Sequence, residues 1–405
     1  RIRLARQLGS GLTNVLYVLD EPTIGLHEKD IAQLNQALIK LKELGNTLVL
    51  VEHDPHTIAI ADYILDFGPA AGSFGGNITA SGTYKEILKN PHSLTGQYLS
   101  GKKTLPLLKK ESLLKKEWLE VKNASVHNLK NISTRFPLEA ISAITGVSGS
   151  GKSTLLHDVI AQEEHPQIAR LVIVDQNPIG QTNRADVASY TEISIYLREF
   201  FAELPEAKAR GLQPKHFSPN HPSGMCNGCN GHGYKQISLL FMPPVTILCK
   251  ECQGLRLKPL ALTVQYKGKN LGEVLHLTVD QAQDLFALPK LLRKLQLLKD
   301  VGLGYLQLGQ EIASLSGGEA QRIKLCRELF SRSKKTLYLL DEPTNGLHTS
   351  DIALLLPVLR RLVSQGHTII LIEHNQDVIN ACDFVVELGP KAGKAGGKIM
   401  YEGVP

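Results

Sequence analysis

Slid against itself at an offset of 321, the sequence aligns residues 1–84 with 322–405 without a gap, and about 37 of the 84 positions are identical. A duplication of that length constrains the architecture strongly, because both copies must satisfy the same folding pattern. The shared landmarks are LYVLDEPTIGLH, Leu16 to His27, against LYLLDEPTNGLH, Leu337 to His348, and VEHD, Val51 to Asp54, against IEHN, Ile372 to Asn375. Each copy also carries a GPxAGxxGG loop, Gly68 to Gly76 and Gly389 to Gly397. In each, an apolar run ends in Asp-Glu, a helical stretch follows, and a second apolar run, TLVLVEH or TIILIEH, ends in Glu-His. That β-α-β pattern predicts an α/β fold with a parallel sheet, and it puts polar residues at the strand C-terminal ends, where open α/β sheets bind ligands.

The 405 residues are 42% hydrophobic and 21% charged, an ordinary globular composition with room for two or three cores. A net charge of +6 permits a polyanionic partner without arguing for one. No apolar run reaches the roughly 18 residues of a membrane helix, and the start does not resemble a signal peptide, so the chain reads as cytoplasmic, with no membrane partner. It opens on Arg1, inside the repeat, and is expected to be a piece of a larger protein. The expected organisation is a partial first domain over 1–100, a Lys-rich linker over 101–117, and a second domain over 118–405. For the linker, a DNA-binding arm is the alternative. Residues 118–137 alternate apolar and polar as short strands do and lead into the apolar run AISAIT.

That run delivers the chain into GVSGSGKST: Gly146, Val147, Ser148, Gly149, Ser150, Gly151, Lys152, Ser153 and Thr154. The spacing is Gly-x-x-x-x-Gly-Lys-Ser between a strand and the helical LLHDVI. Glycines let backbone N–H groups curl around phosphate oxygens, Lys152 reaches the outer phosphates, and the Ser153 hydroxyl ligates Mg²⁺. At the end of LYLL, Asp341 is placed to hold Mg²⁺ through water and Glu342 to polarise an attacking water. Asp20 and Glu21 repeat the pair, and His374 and His53 would lie on the γ-phosphate side. Strand-end acidic pairs also occur as structural ion-pair partners.

LSGGEAQ, Leu315 to Gln321, offers backbone donors from Ser316, Gly317 and Gly318 at a helix start. This resembles the signature of ABC ATPases. The resemblance implies a P-loop domain with an inserted helical signature region, two such domains paired head to tail, and each ATP held between one phosphate loop and the opposite signature. It also makes Gln176, in VDQNPIG, the candidate sensor of Mg²⁺ and nucleotide, with an ordinary surface glutamine as the alternative. The chain carries one phosphate loop and one complete signature, so neither composite site is expected to close within one copy.

Cys226, Cys229, Cys249 and Cys252 form two Cys-x-x-Cys pairs nineteen residues apart, the spacing of a tetrahedral zinc ribbon. Four sulfur ligands leave no open position for water, so Zn²⁺ there would be structural. Cys326 and Cys382 stand in apolar settings and are expected to be buried, inert thiols.

A zinc module, expected over 205–260, between phosphate loop and signature resembles the UvrA family. So do VDQNPIGQTNRADVASYT, AKARGLQPKHFSPN, CNGCNGHG, YKGKNLGEVL and DVGLGYLQLGQ. The resemblance implies an ATPase of nucleotide excision repair that dimerises, binds damaged duplex DNA and loads a UvrB-type partner. One stretch departs: SPNHPSGMC has His221, Pro222 and Met225 where the family tends to be basic. Lys208, Arg210, Lys215 and Lys235 remain as candidate contacts to the DNA backbone, with a solvated basic face as the alternative. Arg256 and Lys258 are weaker candidates. A second reading is a UvrA-like paralogue or degenerate copy serving as an interaction module with weak DNA binding. A transporter ATPase is disfavoured by the cysteine insertion.

Overall fold

The structure is a computed structural model describing residues 12–405 except 24, 27, 70, 71, 73, 74, 107–109, 114–116, 176–184, 240, 241 and 331–334. The chain divides into two compact units, one drawn from residues up to 176 together with those from 332 on, the other from the residues between.

The first unit is built on a six-stranded sheet. Its order is Lys398–Gly403, Phe384–Gly389, Ile141–Gly146, Thr368–Ile372, Thr336–Asp341, Arg170–Val174. All neighbours are parallel except the first pair, which is antiparallel. TIILI is buried along its whole length and TLYLL likewise, as parallel strands covered on both faces require. These strands share one core with Leu155, Leu156, Val159 and Ile160 of the π-helical turn Thr154–Ile160, and with Leu119, Val121, Ile132 and Phe136 of the antiparallel pair Trp118–Ala124 and Ile132–Pro137. The order matters for chemistry: Thr368–Ile372 lies between Ile141–Gly146 and Thr336–Asp341, so the phosphate loop, the Asp-Glu pair and the Glu-His pair leave one sheet edge side by side.

The first copy of the repeat reproduces this register. Leu16 pairs with Thr47 in a parallel ladder, as Leu337 pairs with Thr368. Ile64–Gly68 and Asn77–Gly82 form an antiparallel pair whose irregularity at Asp66/Phe67 recurs at Glu387/Leu388. The surroundings differ, however. Leu16, Val18, Val49 and Val51 are 62%, 67%, 48% and 49% exposed, whereas their counterparts Leu337, Leu339, Ile370 and Ile372 are buried. In the second copy, strands Ile141–Gly146 and Arg170–Val174 flank the pair, and among the described residues the first copy's two strands have no third neighbour.

Across 101–117 the described residues form no helix or strand, but the segment is tethered: the Glu111 N–H donates to Asp383 Oδ1 at 2.7 Å.

The second unit carries more helix than strand among its described residues. Ile193–Glu203 and Pro289–Asp300 contribute Leu197, Phe201, Leu291, Leu295 and Leu298 to its buried interior. It also holds the hairpin Tyr234–Leu239 with Met242–Leu248, the four cysteines, and the helix Gly317–Phe330.

Candidate functional site

The phosphate loop is held in shape by contacts only glycine permits. Gly146 ends its strand at φ +129°, and a Cβ there would stand 1.9 Å from the Leu388 carbonyl oxygen. The loop's own carbonyls are pinned from outside: Gly393 N–H donates to Gly149 O at 2.9 Å, Gly397 N–H to Ser150 O at 3.1 Å, and Asn128 Nδ2 to Gly149 O at 3.2 Å. The repeated GPxAGxxGG loop thus braces the phosphate loop, a role its motif alone did not suggest. Lys152 is buried and its Nζ donates to Gly146 O at 2.9 Å and Val147 O at 3.1 Å. Burial pushes this amine's pKa down, and the nearby Glu342 and Asp341 carboxylates push it back up. Ser153 is exposed at the start of the following helical turn.

Asp341 is the last residue of its strand, and its Oδ2 lies 2.9 Å from His157 Nε2. Glu342 sits at φ +48° with its N–H donating to Ile372 O at 3.1 Å, which turns its side chain toward the next strand end. There Glu342 Oε1 is 3.4 Å from His374 Nε2, and Oε2 accepts from Asn345 Nδ2 at 3.0 Å. The His374 hydrogen bond holds the Glu342 carboxyl below its ordinary range against the opposing effect of burial.

A third carboxylate organises the other two side chains. Glu373 is buried, which pushes its pKa up, and it accepts from Thr344 N–H at 3.1 Å, Thr344 Oγ1, His374 N–H at 2.9 Å and Asn375 N–H at 3.2 Å. It latches the Glu-Pro-Thr turn to the strand end. The first copy repeats the latch, with Glu52 accepting from Thr23 N–H at 2.9 Å, Thr23 Oγ1 at 2.8 Å, His53 N–H at 3.0 Å and Asp54 N–H at 3.3 Å. Asp20 ends its strand, Glu21 sits at φ +44°, and His53 Nε2 is 3.7 Å from Glu21 Oε1. Sequence reasoning missed Glu52, Glu373 and His157. For the two latches a signal existed: the same carboxylate precedes the histidine in both copies.

Both copies line one cavity of about 330 Å³, which Glu21, His53, Glu342 and His374 all border.

In the second unit, Ser316 and Glu319 cap the signature helix reciprocally: Ser316 N–H donates to Glu319 Oε2 at 2.7 Å and Glu319 N–H to Ser316 Oγ at 3.3 Å. Gly317 and Gly318 form the first turn of that helix, with open space where a Gly317 side chain would be. Gln176 lies outside the described residues.

The four cysteine sulfurs lie within 4.8 Å of one another and are all buried. Cys226 Sγ is 3.8 Å from Cys249 Sγ and Cys229 Sγ is 3.6 Å from Cys252 Sγ. Thiolates at about 2.3 Å from a tetrahedral centre stand about 3.8 Å apart, so the cluster fits one zinc-sized ion. Cys326 and Cys382 are buried singly, and burial pushes both thiols' pKa values up, as expected of inert residues.

A phosphate loop, a strand-end Asp-Glu and a Ser-Gly-Gly helix start form the set of an ATP-binding cassette. The family model described as "ABC transporter" matches residues 129–345, more than half of the chain. The whole chain is 48% identical over 426 residues to UvrABC system protein A of Aquifex aeolicus (strain VF5), covering 46% of that relative. It is 49% identical over 426 residues to UvrABC system protein A of Thermus thermophilus, covering 45% of it. The chain belongs to the ABC family and is of the UvrA type. Among solved structures, UvrA2 from Deinococcus radiodurans superposes with a TM-score of 0.92 at 45% identity, over all of this chain and 51% of that one. The chain spans about half the length of the curated relatives it matches. Among the described residues no helix is long and apolar enough to cross a membrane.

The basic residues of this UvrA-type chain singled out as DNA candidates differ in exposure and partners. Lys208, Arg210, Lys215 and Lys235 are exposed, with Lys208 Nζ 3.8 Å from Glu203 and Arg210 4.0 Å from Glu206. Arg256 is buried, its Nη1 2.9 Å from Asp186 Oδ2 and its Nε donating to Gly231 O at 2.9 Å. A guanidinium engaged in that way has no surface to offer a phosphate, which removes Arg256 from the DNA candidates. Lys258 donates to the Pro222 carbonyl at 2.8 Å.

Proposed function

We propose that this chain is part of an ATP-driven DNA-damage recognition subunit of a UvrABC-type nucleotide excision repair system. One observation carries the reading: a buried four-thiol cluster inserted between a phosphate loop and an SGGE signature, in a chain similar throughout to UvrABC system protein A. In this reading the loop Gly146–Thr154 and Lys152 hold the nucleotide phosphates, while Ser153 and Asp341 hold Mg²⁺. Glu342, kept ionised by His374, accepts the proton of the attacking water, and His374 faces the γ-phosphate side. Asp20, Glu21 and His53 serve the second site. Ser316, Gly317 and Gly318 complete a nucleotide site across a head-to-tail pair. Cys226, Cys229, Cys249 and Cys252 hold a structural Zn²⁺ whose binding energy is folding energy for that module.

Binding to damaged duplex DNA would be independent of base sequence and sensitive to salt, because phosphates and deformability are read. Lys208, Arg210, Lys215 and Lys235 are the proposed phosphate contacts, and the intact protein works as a homodimer with a UvrB-type partner. The test is duplex affinity of the intact protein, with ATP, with and without one bulky lesion, at two salt concentrations. Tighter, salt-sensitive binding to the lesion duplex is expected, and absence of DNA binding at low salt would overturn the reading.

A further inference from the structure

Arg256 belongs to two structures at once. Its backbone is part of the cysteine module: its carbonyl accepts from Cys226 N–H at 2.9 Å, and its own N–H is directed at the Cys252 sulfur. It holds φ +69°, a conformation a non-glycine residue adopts only when its surroundings enforce it. Its guanidinium bridges outward from the module: Nε donates to Gly231 O at 2.9 Å within it, while Nη1 meets Asp186, with the two side chains only 11% and 4% exposed.

Asp186 is tied just as firmly to a different part of the chain. Its Oδ1 accepts from Ser189 N–H at 2.8 Å, capping the turn Val187–Tyr190, while Oδ2 takes the Arg256 donor. Its backbone lies opposite Glu311 in an antiparallel bridge, flanked by Val187 N–H to Gln310 O at 3.0 Å and Ile312 N–H to Ala185 O at 2.9 Å. A second line converges there, since Tyr234 donates its hydroxyl to Glu311 Oε1 at 2.7 Å, and Tyr234 follows Gly233, whose carbonyl accepts from Cys249 N–H. From Ile312 the chain makes one tight turn and enters the signature at Ser316.

We propose that Arg256 is a positioning residue through which the four-cysteine module sets the geometry of the signature segment, by way of the buried Asp186 pair and the bridge at Glu311. The physical warrant is that a buried ion pair with one partner removed leaves an uncompensated charge, which the local structure relieves by opening. The proposal rests on the reading that Ser316–Gly318 serve nucleotide hydrolysis and that the intact protein binds DNA.

The experiment compares the intact, zinc-loaded protein with its Arg256→Met, Arg256→Lys and Tyr234→Phe variants. Metal content, amide exchange over 308–316, and ATP turnover with and without duplex DNA are measured. Arg256→Met is expected to keep one zinc per chain and to speed exchange over 308–316 roughly tenfold or more. It should lower kcat while ATP is still bound through the untouched Lys152 loop, and erase the response of kcat to DNA. Arg256→Lys should recover part of each effect, because it keeps the charge. Wild-type exchange over 308–316 in Arg256→Met, or loss of zinc together with exchange, would overturn the coupling and leave Arg256 a structural residue of the module. Should Arg256→Met fail to fold, Arg256→Lys and Tyr234→Phe decide by the same exchange readout. A wild-type protein whose turnover ignores DNA would refute the repair reading instead, and the exchange comparison would still judge the coupling.

Discussion

Glu342 Oε2 stands 3.2 Å from the point where a Cβ on Gly25 would lie. The repeat returns the contact, for Glu21 Oε2 stands 2.8 Å from the Cβ position of Gly346. Each turn glycine therefore faces the other copy's carboxylate, the reciprocal pattern of a two-fold interface, produced here by duplication within one chain. The two acidic groups proposed to activate water are each confined by a residue of the opposite copy.

Gly346→Ala tests that confinement. Gly346 sits at φ +68°, so alanine costs about 1–2 kcal/mol in backbone strain and must also displace Glu21. Gly366→Ala is the control, since at φ +86° a Cβ there meets nothing within 4 Å. Both variants should lose similar stability in urea unfolding. Turnover by the intact protein should fall in Gly346→Ala alone, with ATP binding retained. Equal turnover in the two variants would show that the contact does not govern the carboxylate.

Lys152→Ala should abolish ATP binding, measured directly with the nucleotide rather than through turnover. Among the described residues the amine is the charged group that donates into the loop, through Gly146 O and Val147 O at 2.9 and 3.1 Å. Binding at wild-type affinity would remove the phosphate-loop assignment.

What was readable in the sequence was what short spacing determines. GVSGSGKST, the Asp-Glu pairs, the signature and the Cys-x-x-Cys pairs each hold their chemistry within a few residues, and the 321-residue offset carried the β-α-β reading from one copy to the other. Relationships between distant residues were not readable. Arg256 looks in sequence like any basic residue near a zinc ribbon, and only its pairing with Asp186, 70 residues away, reveals it as buried. His157 gives no hint of meeting Asp341 across a separation of 184. The exposure of Val18 and Val49 was likewise hidden, because identical strand patterns say nothing about which neighbours cover them.

The Glu342–His374 contact should leave a pH signature. Because the His374 hydrogen bond holds the Glu342 carboxyl below its ordinary 4.5, its contribution to stability is fully present above pH 4.5 and is lost as pH falls through the depressed value. His374→Ala should raise the Glu342 pKa, so the difference in unfolding free energy between wild type and variant should shrink as pH is lowered through that window. The same variant should slow turnover by roughly 10²-fold or more. A stability difference that does not change with pH would mean the two side chains are not coupled.

If the four sulfurs hold zinc as proposed, Cys249→Ser should release it and expose 226–252 to protease, because closing four thiolates around an ion would order the knuckles. Chelation of the wild-type protein should give the same digestion pattern. Retention of one zinc per chain in the variant would argue against four-sulfur ligation.

The repeat also supplies an internal comparison of one carboxylate in two settings. Asp383 is buried, takes Arg360 Nη1 at 2.8 and 2.7 Å on its two oxygens, and accepts from the N–H groups of Ile141 at 2.8 Å and Glu111 at 2.7 Å. It joins the helix Thr349–Ser364, the strand that feeds the phosphate loop, and the segment after the first copy. Its counterpart Asp62 meets Lys42 Nζ at 2.6 Å with the two side chains 73% and 50% exposed. Geometry alone would rank the shorter contact as the stronger, but solvent screens it and two mobile side chains must be held in place. Asp62→Ala should therefore cost less than about 1 kcal/mol. Asp383→Ala should cost about 3–5 kcal/mol, because it strands the Arg360 guanidinium and two backbone donors in the interior. Urea unfolding of both variants measures the difference, and similar losses would mean that Arg360 finds water or another acceptor when Asp383 is gone.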